Sequence, residues 1–215
     1  MVYVMRAVLE VSVPEGFDLW PVAEADASGF LALGGGLSPA EVGTAVMALA
    51  VCNRPPDEGD EGDDRPPHAA VGTFLRGLLS YDTVFAAGGL RVTDPDTGVG
   101  FAPGCCDGLE DWRDWYRLVD GDGSLGFGHE PVSPLAERHG DTLRLTVDAE
   151  RDDSPVIELP AQALRGMLAG VERDLTAFLG LAVAWAAVHV PGHDRAVVVA
   201  ALARALDVPP PSGRT

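Results

Sequence analysis

The sequence predicts an α+β protein, and three observations carry the prediction. One phase of the N-terminus is apolar throughout, a helix-start signature stands at residues 38–41, and two long apolar helical stretches close the chain after a series of short strands. Strands in the first two thirds followed by helices predict a mostly antiparallel sheet packed by helices, with the two C-terminal helices covering one face.

Tyr3, Met5, Ala7, Leu9, Val11 and Val13 share one phase while Arg6, Glu10 and Ser12 share the other, so the chain opens with a half-buried strand ended by Pro14 and Gly16. Residues 30–33 read as a second short strand. Ser38, Pro39 and Glu41 supply a cap, a proline at the first helical position and a carboxylate at the third, which predicts a helix over 39–52. Residues 53–68 carry four prolines and six carboxylates and offer nothing apolar to bury, so this insertion is expected to be disordered. A helix over 69–79 and a strand over 82–87 follow. Residues 90–93 and 99–102 read as a hairpin turned by Asp94-Pro95-Asp96-Thr97-Gly98.

Residues 108–119 are predicted as a short α-helix capped by Asp107, with Leu109, Trp112, Tyr116 and Val119 turned inward. Strands at 143–147 and 156–159 pair across the acidic turn 150–154. A long helix is expected over 160–188 and a last one over 194–206. The whole reads as one domain, 1–208, with a disordered tail at 209–215 that begins with three prolines.

Composition bounds the function. The 215 residues are 47% hydrophobic and 22% charged, as in globular proteins, and 33 acidic residues against 15 basic ones leave a net charge of −18. Every basic residue is arginine. Schiff-base enzymes and P-loop phosphate binders, which need a lysine ammonium, are excluded. Nucleic acid is excluded as a partner, because its affinity comes largely from cationic groups displacing phosphate counterions. The most apolar stretch, 175–190, falls short of the roughly 20 residues that cross a bilayer, so no membrane partner is expected. Residues 1–10 show no signal-peptide pattern, and three cysteines, two of them adjacent, suit reduced thiols in the cytoplasm.

Cys105 and Cys106 stand just before the helix predicted at 108, where free N–H groups and the helix dipole favour a thiolate. Paired with His129, either thiol is a candidate nucleophile acting on a small molecule. Against this stands the use of cysteine as a small apolar filler of a tight turn beside Gly104. Zinc held by Cys105, Cys106, His129 and His139 is disfavoured, since structural sites separate paired cysteines by two residues or more. Asp120, Asp122 and Ser124 begin like a calcium loop, but Leu125 and Pro131 stand where glycine and glutamate are required. No metal and no cofactor is expected.

At α-helical pitch Trp115 falls on the border between core and solvent, flanked by Asp111, Arg113 and Asp114. That composition suits an aromatic binding anchor with a polar rim. The run GCCDGLEDWRDW followed by GHEPVSP resembles uncharacterised proteins of high-GC actinobacteria in which a GCC-GLE-W pattern precedes GH-P-SP. The resemblance covers roughly residues 88–188 and implies no activity and no catalytic residue. The function expected from the sequence is therefore non-catalytic binding of a basic protein partner, in an immunity or regulatory role, with the cysteine-dependent enzyme as the alternative.

Overall fold

The structure is a computed structural model that describes residues 3–24, 28–55, 67–104, 107–121, 123–128 and 131–211. It is α+β with a C-terminal pair of helices, and its strands divide between two four-stranded antiparallel sheets instead of sharing one. In the first sheet β1 (Val4–Glu10) lies between β2 (Phe30–Ala32) and β3 (Gly88–Thr93), and β4 (Gly100–Phe101) closes the far edge. The N-terminal alternation is kept: Met5, Ala7 and Leu9 are buried while Arg6 and Glu10 are exposed, and Val8 is buried as well.

Helix α1 (Pro39–Cys52) begins at the expected capping box, with the Ser38 hydroxyl accepting from Glu41 N and the Glu41 carboxylate accepting from Ser38 N at 2.7 Å. These bonds hold the Glu41 carboxyl below its ordinary pKa. Residues 42–50 are buried without interruption, so α1 is apolar on all sides and forms the middle of the core. Helix α2 (Pro67–Ser80) starts two residues before the predicted start.

The expected disordered insertion is thereby narrowed at both ends. Pro67 and His68 belong to α2, and Asn53, only 5% exposed, ends α1. Residues 56–66 lie outside the described residues, as do 212–215 of the expected tail.

Residues 82–87 do not form the predicted strand. Val84 and Ala86 are buried in alternation, but side chains occupy the backbone groups that a neighbouring strand would have paired. Asn53 takes both the N–H and the carbonyl of Phe85, and Glu110 takes the N–H of Ala86. The β3–β4 hairpin forms as predicted, with Asp94 N bonded to Val99 O at 2.9 Å and Gly98 supplying the required positive φ of 74°.

Residues Leu109–Trp115 form a 3₁₀ helix, and α3 (Tyr116–Asp120) extends it as an α-helix. The second sheet follows, in the order β5 (Gly123–Gly126), β6 (Leu135–His139), β7 (Thr142–Thr146) and β8 (Val156–Pro160). The sequence carried no signal for β5 or β6, because each buries one side chain, Leu125 or Ala136, and so shows no apolar period. The expected β7–β8 pair forms, with Leu145 opposite Ile157 and Leu143 opposite Leu159.

Helix α4 (Ala161–His189) runs 29 residues, about 44 Å at 1.5 Å per residue. It packs on β1 of one sheet and β8 of the other, and also touches α1, α3 and α5. Leu164, Leu168, Val171, Leu175, Phe178 and Leu179 supply its buried stripe. Helix α5 (Arg195–Ala205) is capped by the Asp194 carboxylate on Ala196 N at 2.8 Å. No helix among the described residues is long and apolar enough to cross a membrane.

Candidate functional site

The 3₁₀ pitch decides what the 109–115 segment presents. At about 120° per residue, positions three apart lie one above the other, whereas at α-helical pitch they are offset by about 60°. Leu109, Trp112 and Trp115 are accordingly all buried, and Asp111 and Asp114 are both exposed. Trp115 is therefore not the border anchor that α-helical pitch implies. It is 2% exposed, stacked on Phe127 with ring centroids 4.8 Å apart and set edge-on to Phe101 at 6.0 Å. Phe101 belongs to β4 and Phe127 directly follows β5, so Trp115 joins the two sheets.

Arg113 is likewise committed to the fold. Its guanidinium reaches Glu172 of α4 at 2.8 Å and Asp207 beyond α5 at 2.9 Å, and it lies 4.3 Å over the Trp112 ring. Trp112 Nε1 donates to Leu206 O at 3.0 Å. Together the two side chains clasp the end of α5. Of the predicted rim only Asp111 and Asp114 face solvent, and Asp114 lies 3.8 Å from Arg117.

The most distinctive corner of the molecule adjoins Asp111, where the end of β1, the end of α1, residues 81–88 and the start of the 3₁₀ helix meet. Asn53 organises it: Nδ2 donates to Leu49 O and Phe85 O, each at 2.7 Å, and Oδ1 accepts from Phe85 N at 2.9 Å. A Cβ at position 77 would collide with Asn53 O, so only glycine lets α2 approach the end of α1 this closely. Glu10 N donates to Ala87 O at 2.8 Å, Gly88 N to Asp107 O at 3.3 Å, and Leu109 N to Ala86 O at 2.7 Å.

Asp107 and Glu110 do not form the capping arrangement that the sequence implies. The 3₁₀ helix is capped by Gly108 with no side-chain bond, and Glu110 instead accepts from Ala86 N at 2.8 Å. Asp107 is left half-buried, and no described group donates to its buried Oδ2. Burial, then the charges of Asp111 and Glu110, push the Asp107 carboxyl up to about 7. Burial, with Asp111, also raises Glu110. Among the described ion pairs none involves Glu10, Asp107, Glu110 or Asp111.

Cys52 is exposed, yet its sulfur sits against the Ala87 backbone. Partial burial, with Glu10 and Glu110 nearby, raises the thiol above its ordinary pKa. That is the opposite of an activated nucleophile. Cys105, Cys106 and His129, the sequence candidates for nucleophilic chemistry, lie outside the described residues. His139 ends β6 beside Glu137, 3.9 Å away. Among the described residues no three histidine, cysteine or carboxylate side chains are grouped so as to hold a metal ion.

No protein-family model matches the chain, and no curated protein or solved structure proved similar to it.

Proposed function

We propose that the protein is a non-catalytic, acidic cytoplasmic protein that binds a basic protein partner, in an immunity or regulatory role. The observation that supports this reading best is the crowding of Asp107, Glu110 and Asp111 with no described arginine in ion-pair reach. Several described guanidiniums are committed elsewhere: Arg138 to the carbonyls of Leu118 and Val119, Arg204 to Leu78 O, and Arg6 to Asp174 at the surface. Carboxylates that repel one another with part of their surface desolvated gain when a partner supplies the missing cations. The proposal is tested by reconstituting the purified partner and measuring Kd between 50 and 300 mM salt. A basic partner with affinity falling steeply with salt is the expected result, and affinity indifferent to salt would refute it.

One observation favours a second reading. Asp107, with a carboxyl near neutrality, directly follows Cys106 in the chain, and groups so perturbed gather at catalytic sites. Turnover of a small-molecule ester or thioester that disappears in Cys105→Ser or Cys106→Ser would establish the cysteine-dependent enzyme in place of the binding protein.

A further inference from the structure

The strap formed by residues 84–88 is held from two directions by groups of different kinds. From one direction the bonds are neutral: the Asn53 amide takes the N–H and carbonyl of Phe85, and Glu10 N donates to Ala87 O at 2.8 Å. From the other, three bonds run to a turn that carries three carboxylates, Asp107, Glu110 and Asp111. Leu109 N donates to Ala86 O at 2.7 Å, Gly88 N to Asp107 O at 3.3 Å, and Ala86 N to the Glu110 carboxylate at 2.8 Å. The Glu110 carboxyl is folded back over Gly108, where any Cβ would collide with it. Asp107 is the weak member of this turn, because its Oδ2 is buried and no described group donates to it.

The groups around Asp107 give its charge no relief. Glu110 and Asp111 act on it from its own turn, and the Cys52 thiol of α1 lies near Glu110 and near Glu10 of β1. The segment before the strap adds exposed Asp82. Arg54 is exposed at the end of α1, yet no described ion pair joins it to these carboxylates, and Arg113 is committed to Glu172 and Asp207. An ionised Asp107 therefore gains by leaving its place for water, whereas the protonated acid has no such drive. We propose that the contact between residues 86–88 and 107–110 is a pH-sensitive latch, closed while a proton sits on Asp107 and loosened as that proton leaves to water. Opening breaks the three bonds made by the Ala86, Gly88 and Leu109 N–H groups, while Asn53 and Glu10 keep the strap in place. Leu109, fully buried, draws the turn back, so opening is a minority excursion. The sign follows from the carboxyl, near 7 in the closed turn against 3.8 in water: the closed form has its full advantage below about pH 4 and loses it as pH rises through 7. The latch is independent of what the protein binds.

The test follows the full chain by NMR between about pH 5 and pH 7.5. Asp107 Cγ is expected to titrate above about pH 6. Protection of the Ala86, Gly88 and Leu109 N–H groups against hydrogen exchange, corrected for the intrinsic rise of exchange with pH, should fall about tenfold or more over that range. The same three amides should respond little to low urea, which marks a local opening. Asp107→Asn should remove most of the fall. Glu110→Gln, which keeps an acceptor for Ala86 N and removes one charge, should shift the fall to lower pH, and it decides the matter together with the native titration should Asp107→Asn fail to fold. Titration of Asp107 Cγ below about pH 5, protection that is flat with pH, or a fall that survives intact in folded Asp107→Asn overturns the latch. So does a urea response equal to that of the α1 amides, since the three bonds would then break only in global unfolding.

Discussion

Replacing Trp115 by alanine should unfold the protein's middle before it affects any partner. The indole is 2% exposed and bridges Phe101 of the first sheet to Phe127 beside the second. A buried tryptophan removes some 200 Å² from water, which at about 25 cal/mol per Å² amounts to roughly 5 kcal/mol as an upper bound. Mutational series put Trp→Ala in a core at about 3–5 kcal/mol, so about 4 kcal/mol is expected. In a chain of 215 residues each kcal/mol moves the midpoint by about 2–4 °C, giving a fall of roughly 8–16 °C. Trp115→Phe should keep the stack on Phe127 and recover more than half of the loss. Calorimetry and urea unfolding measure both. A loss under about 1 kcal/mol for Trp115→Ala, the scale of a surface substitution, would refute the 3₁₀ geometry and return the indole to the solvent border. Affinity of the folded fraction for a cationic partner should not change.

Asn53→Ala removes three hydrogen bonds and leaves the Phe85 N–H and carbonyl without them, so it should cost about 2–4 kcal/mol by chemical denaturation. Deleting residues 57–64 instead, which leaves Asn53 and Pro67 in place, should move the midpoint by less than about 5 °C. Asp107 has a folded-state pKa near 7 against 3.8 for an ordinary aspartate, so folding favours its protonated form. Its contribution is fully present below about pH 4 and is lost as pH rises through 7. Relative to Asp107→Asn, the native chain should therefore lose stability between those limits, and parallel pH profiles of the two would contradict the assignment. Arg113→Ala releases Glu172, Asp207 and the Trp112 face together. Because the pairs are partly exposed it should cost only about 1 kcal/mol, less in high salt, as read from urea midpoints.

Local chemistry made much of the fold legible. The Ser38–Glu41 box, the Asp94–Gly98 turn and the two-residue alternation of β1 each act within a few residues, and each appears where the sequence places it. The composition likewise determined the acidic, lysine-free surface. Tertiary contacts decided the rest. Strands β5 and β6 bury one side chain each and exist because neighbouring strands pair with them, a fact that no hydrophobic period can announce. Residues 82–87 have the period of a strand and are not one, because Asn53 and Glu110, 32 and 24 residues away, occupy their backbone. Trp115 shows the same limit at its sharpest. Spacing in sequence becomes direction in space only once the helical pitch is known, and about 20° per residue between α and 3₁₀ carried this indole from the expected rim into the core. Pitch, like the burial of the Asp107 carboxyl, is settled by what the segment packs against.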